Sequence, residues 1–118
     1  MNPLYDLYVI ESALLSGEVD DAVKLIEKKC NIYKNPASGK NGEKIRKHVK
    51  VMEAVMESLK NSIGIEEFMK IMNDNYSYST EDGNSEKFIQ SFSYMVFYSI
   101  DRYNIHYPAY DGKRCGDL

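Results

Sequence analysis

No tryptophan occurs in the chain, cysteine and histidine occur twice each, and proline occurs three times. Each scarcity excludes a class of protein. Cys30 and Cys115 stand far apart, without a pairing motif and far below the cysteine density of a disulfide scaffold, so free thiols are expected. His48 and His106 are the only imidazoles, and neither lies at ligand spacing from a cysteine. A zinc site needs clustered ligands, so the reading assigns no metal and no cofactor. Three prolines and seven glycines in 118 residues are too few for a fibrous or disordered chain. Long apolar runs are also missing. The most hydrophobic stretch, Leu4 to Leu15, is interrupted by Asp6 and Glu11, and a spanning helix needs about 20 apolar residues. That stretch has no basic residue ahead of it and no small-residue cleavage site after it, unlike a secretory signal. A soluble, cytoplasmic protein without a membrane partner is expected.

The net charge is only −3, but its distribution is uneven. Residues 1–23 carry five acids and no base, residues 24–50 carry nine bases against two acids, and the remainder carries six bases against eleven acids. A basic block therefore sits between two acidic ones. Such asymmetry bears on partners and leaves the fold open.

Apolar spacing predicts an all-α fold: one compact bundle of about five helices, at about 3–16, 18–33, 43–61, 65–73 and 86–104, with an irregular C-terminal tail. Asn2 and Pro3 suit a helix entry, and Gly17 suits a left-handed stop. In 18–33 the acids come first and the lysines last, matching the helix dipole, and Val19, Ala22, Val23, Ile26, Cys30 and Tyr33 form one stripe. Cys30 reads as a small core residue. In 43–61, Ile45, Val49, Met52, Val55, Met56 and Leu59 line one side, with Lys44, Arg46, Lys47 and Lys50 opposite. Gly64 opens 65–73, whose inward set is Ile65, Phe68, Met69 and Met72. Ser85 is expected to cap 86–104. The first and last helices have apolar residues nearly all round, which makes them candidates for the centre of the bundle. Turn formers fill 35–42, and the polar stretch 73–84 holds Tyr76 and Tyr78.

Motifs of chemistry are sought without success. Serine or cysteine catalysis recruits a histidine oriented by a third group, and no Gly-x-Ser-x-Gly context is present. His48 borders an apolar stripe and reads more readily as a packed or solvated imidazole than as a base; His106, beside Tyr107 and Pro108, reads the same way. Gly39-Lys40 lacks the rest of a phosphate loop, and Asp82-Gly83-Asn84-Ser85-Glu86 lacks the sixth-position glycine and twelfth-position glutamate of a calcium loop. Glu66 and Glu67 point about 100° apart and read as first-turn dipole partners. Residues 13–26, Ala-Leu-Leu-Ser-Gly-Glu-Val-Asp-Asp-Ala-Val-Lys-Leu-Ile, resemble the helix-turn-helix step of ankyrin-type repeats. The Thr-Pro-Leu-His opening is missing and no second copy follows, so neither that fold nor its binding surface is carried over.

Two surfaces remain. Lys40, Lys44, Arg46, Lys47 and Lys50 could engage phosphates or an acidic surface, or could form a solvated face. Ten tyrosines and four phenylalanines exceed what one small core requires. Tyr76, Tyr78, Tyr94, Phe97, Tyr98, Tyr107 and Tyr110 fall outside the apolar stripes; the tail or the first helix could bury Tyr94, Phe97 and Tyr98, and otherwise they would mark an interface. The sequence thus points to a non-enzymatic protein-binding module, such as an inhibitor, an immunity protein or an accessory regulator. Its partner would be another protein or, as a homodimer, a second copy. The alternative is a nucleic-acid-binding regulator using the basic segment 40–50.

Overall fold

A computed structural model describes residues 3–34, 42–75 and 84–107. Within them lie five helices and no strand: α1 (Pro3–Leu15), α2 (Val19–Lys34), α3 (Gly42–Leu59), α4 (Ile65–Asn75) and α5 (Asn84–Arg102). The all-α bundle expected from periodicity is what forms. Each helix packs on its neighbour in sequence, and α5 closes the ring by packing on α1 and also on α3.

Three of the helix ends share one local device. A helix that ends in a left-handed residue can satisfy two orphan carbonyls by back-reaching amide bonds. After α1 that residue is Gly17 (φ 77°): its N–H donates to Leu14 O at 3.0 Å and Glu18 N–H donates to Ala13 O at 2.9 Å. Asn61 (φ 60°) does the same after α3, and Asn104 (φ 52°) after α5. Asparagine tolerates this conformation better than other side-chain-bearing residues, which explains its use here. Gly64 accepts the first bond of α4 from Phe68 N–H at 3.0 Å, as its position ahead of the helix suggests. The start of α5 differs from expectation: the helix already includes Asn84, which places Ser85 inside the first turn instead of ahead of it.

One core unites the five helices, with Leu7, Ile10, Met52, Phe68, Phe92 and Val96 closed to solvent. Phe68 links two rings of α5: it stacks on Phe92 at 6.3 Å and meets Phe97 edge-on at 5.6 Å. The centre of the bundle is not where the wheels put it. α3 packs chiefly on α2, α4 and α5 and buries residues on two sides, including Val51, Ala54 and Ser58 outside its expected stripe. α1, in contrast, packs chiefly on α2 and α5 and turns Tyr5, Tyr8 and Leu15 to water. An all-round apolar helix usually signals full burial, but tyrosines supplied much of that pattern, and their polar tips make exposure affordable. The buried serines are satisfied locally, with Ser58 donating to Val55 O at 2.7 Å and Ser93 to Ile89 O at 2.6 Å.

The tail expected to be irregular begins after α5 with Ile105 and Tyr107, both buried. Tyr110 and the remainder of it lie outside the described residues.

Candidate functional site

Two features merit attention as sites: a polar cluster inside the bundle and an aromatic surface outside it. The cluster joins three helices. Asp6 of α1, 3% exposed, receives His48 Nε2 of α3 at 3.1 Å on Oδ2, while Lys29 Nζ of α2 lies 3.5 Å from Oδ1. A carboxylate only accepts, so Nε2 is the protonated ring nitrogen in this bond. Burial holds the His48 pKa below its ordinary value, against the opposing pull of the Asp6 bond and charge. His48 is therefore neutral near pH 7, and the Asp6 charge is balanced by Lys29. A histidine oriented by an aspartate is the geometry of a general base, but His48 is 1% exposed and its ring is closed to solvent. The sequence reading left His48 as a packed or a solvated imidazole, and the structure places it as the packed one. That reading missed the pairing, because Asp6 appeared only as an interruption of an apolar run.

His106 is exposed, and its Nδ1 accepts from Asn61 Nδ2 at 2.8 Å. Asn61 Nδ2 also donates to Ile105 O at 2.9 Å, so the residue that stops α3 also anchors the segment after α5. Nearby, a cleft of about 620 Å³ lies where the α1–α2 turn meets that segment, lined by Glu18, Asp20, Asp21, Tyr103 and His106 among others. Hydrogen bonding and repulsion from Asp21 hold the Glu18 pKa above the usual carboxylate value. These acids sit at the start of α2, where the helix dipole favours them. Among the described residues no group of three or more His, Cys, Asp or Glu side chains is arranged to hold a metal ion. No described helix is long and apolar enough to cross a membrane.

The aromatic candidates divide. Tyr94 and Tyr98 are each 55% exposed on the outer side of α5. Phe97 packs inward on Phe68, and Tyr107 is buried, so neither lies free on the surface as the sequence reading allowed. The physical reason is the side of α5 that α4 covers: Phe97 points to it, and Tyr94 and Tyr98 point away. Tyr76, Tyr78 and Tyr110 lie outside the described residues. The structure adds Tyr5, Tyr8, Leu15 and Tyr103, so that six of the seven large apolar residues exposed among the described ones lie on α1, on α5 or at the end of α5. The seventh, Ile32, is on α2.

Two of these side chains, Tyr8 and Tyr103, lie at the α1–α5 seam. Tyr8 meets Phe88 edge-on at 5.6 Å at one end, and Tyr103 donates its hydroxyl to Leu15 O at 2.9 Å at the other. The Tyr103 ring also lies against Gly17, where a Cβ would come within 3.0 Å of it. Arg102 stands over the Tyr103 ring at 5.6 Å and reaches Tyr98 Oη at 3.4 Å.

The basic candidates lie on α3. Lys44, Arg46 and Lys50 are exposed, whereas Lys47 is partly covered and sits 3.8 Å from Glu43. Lys40 lies outside the described residues.

No protein-family model matches the chain, and no curated protein or solved structure matches it.

Proposed function

We propose that the chain is a non-enzymatic protein-binding module, of the kind that serves as an inhibitor, an immunity protein or an accessory regulator. Its contact surface is the tyrosine-rich side of α1 and α5. The observation that carries this reading is the segregation of exposed apolar side chains: Tyr5, Tyr8, Leu15, Tyr94, Tyr98 and Tyr103 share two packed helices. Five half-exposed tyrosines present on the order of 500 Å² of surface, the size at which patches on soluble proteins are often functional. Tyrosine suits such a surface because its ring offers apolar area with few rotatable bonds and its hydroxyl stays wet when the partner leaves. Among the described residues the His48–Asp6 pair, whose geometry resembles catalytic machinery, joins α1 and α3, with Lys29 of α2 beside it.

Position-specific photo-cross-linking in the native host tests the reading. A photoreactive phenylalanine analogue at Tyr8 or Tyr94 is expected to capture a defined protein, and the same analogue at Lys28 of α2 is not. Failure to capture at both tyrosine positions, or equal capture at Lys28, overturns it.

The nucleic-acid alternative draws on Lys44, Arg46 and Lys50, exposed together on α3. It requires binding that weakens steeply with salt and is lost on Lys44→Glu with Lys50→Glu; salt-insensitive or absent binding ends it.

A further inference from the structure

The outer side of α5 carries a charge pattern that antiparallel pairing with its own copy satisfies. Residues seven apart fall on nearly the same line of a helix, so Lys87, Tyr94 and Asp101 form one row, with Gln90, Ser91 and Tyr98 beside it. All six are exposed. Between Lys87 and Asp101 the helix has no charged side chain. Its charges stand at the two ends, Glu86 and Lys87 at the start, Asp101 and Arg102 at the finish.

Reversal of this helix about Tyr94 exchanges residues at equal distances from it. Lys87 then falls opposite Asp101, since the two lie within about 40° of each other around the helix, whereas Glu86 and Arg102 lie about 160° apart on its two flanks and do not meet. The charges of the facing row, Lys87 and Asp101, therefore meet their opposites. In-register parallel pairing does the reverse, placing Lys87 on Lys87 and Asp101 on Asp101. Lys87 and Asp101 cannot reach each other within one chain, since fourteen helical residues span about 21 Å. Among the described residues neither makes an ion pair.

We infer that the partner of the tyrosine face is a second copy of this chain, its α5 packed antiparallel across a two-fold axis at Tyr94. This rests on the reading of that face as a protein-binding surface and names its occupant. In the pair, Tyr94 meets its own counterpart at the axis, and the uncharged middle of each α5 covers that of the other. The two Lys87–Asp101 contacts close the rim symmetrically, as a two-fold interface requires. Tyr5 and Tyr8 of α1 widen the contact beyond one helix. With about 500 Å² of tyrosine surface per copy, the patch supplies most of the roughly 800 Å² per partner of a standard interface. Opposed charges set the register and the antiparallel sense, and tyrosine burial supplies the attraction.

A charge-swap series on the full chain tests this, with mass read by sedimentation equilibrium and folding by circular dichroism. The native chain is expected to be a dimer that dissociates on dilution. Lys87→Asp alone and Asp101→Lys alone each place two like-charge contacts in the interface, and each raises the dissociation constant roughly tenfold or more. Combining K87D with D101K restores opposite charges across the axis and returns the constant to near its native value. The rescue is specific, because a merely structural role for either residue is not repaired by a change about 21 Å away on the same helix. A native chain that stays monomeric at millimolar concentration overturns the proposal, as does a dimer indifferent to the single swaps or a folded double variant that fails to recover. If the chain is monomeric while the photoreactive group at Tyr94 captures a different protein, the self-pairing fails and the protein-binding surface stands. If it captures nothing, both fail.

Discussion

Replacing Asp6 with alanine tests whether the buried cluster holds the bundle together. The substitution removes the acceptor of the His48 Nε2–H bond and the counter-ion of Lys29. Lys29 keeps 28% of its side chain exposed and can turn to water, so its loss costs less than about 1 kcal/mol. His48 cannot do this at 1% exposure. A buried donor left without an acceptor costs about 1–3 kcal/mol, and with the smaller Lys29 loss the total for Asp6→Ala comes to about 1–4 kcal/mol. Against a stability of about 5–15 kcal/mol that is a large fraction, equivalent to a fall in Tm on the order of 10 °C. Asp6→Asn keeps an oxygen acceptor for His48 and loses only the charge, so it should cost clearly less. Urea titration followed by circular dichroism measures both, and a double-mutant cycle with His48→Leu isolates the coupling. Equal costs for alanine and asparagine, or a coupling near zero, would refute the assignment of the bond.

Further outcomes follow from the same contacts. Burial depresses the folded-state pKa of His48 below the unfolded value of about 6.5, so the unfolded chain takes up the proton first. The stability that the neutral ring contributes is complete above about pH 6.5 and is lost as pH falls through the lower folded value; His48→Gln should lose this component of the pH dependence in thermal melts. Gly17→Ala combines a left-handed backbone with a Cβ 3.0 Å from the Tyr103 ring, and should destabilise by at least about 1–2 kcal/mol in denaturant titration. Tyr103→Phe, which removes one hydroxyl bond at an exposed site, should cost no more than about 1 kcal/mol by the same measurement. Phe68→Ala empties the ring contacts with Phe92 and Phe97 and should cost about 3–5 kcal/mol, the largest loss of the set.

Much of the architecture is legible in the residues because apolar spacing and stop residues act locally. Gly17 marks its helix end for reasons of backbone freedom, and the Val49, Met52, Val55 and Leu59 stripe follows from helical period. What could not be read depends on which element covers which face. Phe97 and Tyr98 are neighbours with similar rings, yet α4 covers one and leaves the other in water, a difference fixed by tertiary placement. Asn61 and Asn104 adopt left-handed caps that asparagine permits without demanding. Asp6 was legible in principle: a carboxylate among apolar helix positions needs a partner, and the partly exposed cation and buried imidazole that answer it come from residues 29 and 48, far along the chain. The site candidates fared accordingly, with Tyr94 and Tyr98 exposed on one face while Phe97 and Tyr107 are turned inward.

The most direct measurement of the central claim is the mass of the native chain in solution set beside that of Tyr94→Lys with Tyr98→Lys. The account predicts a species of two chains for the native protein and of one chain for the variant, with helix content unchanged. A single-chain mass for the native protein, joined to no protein captured through Tyr8 or Tyr94, would contradict it.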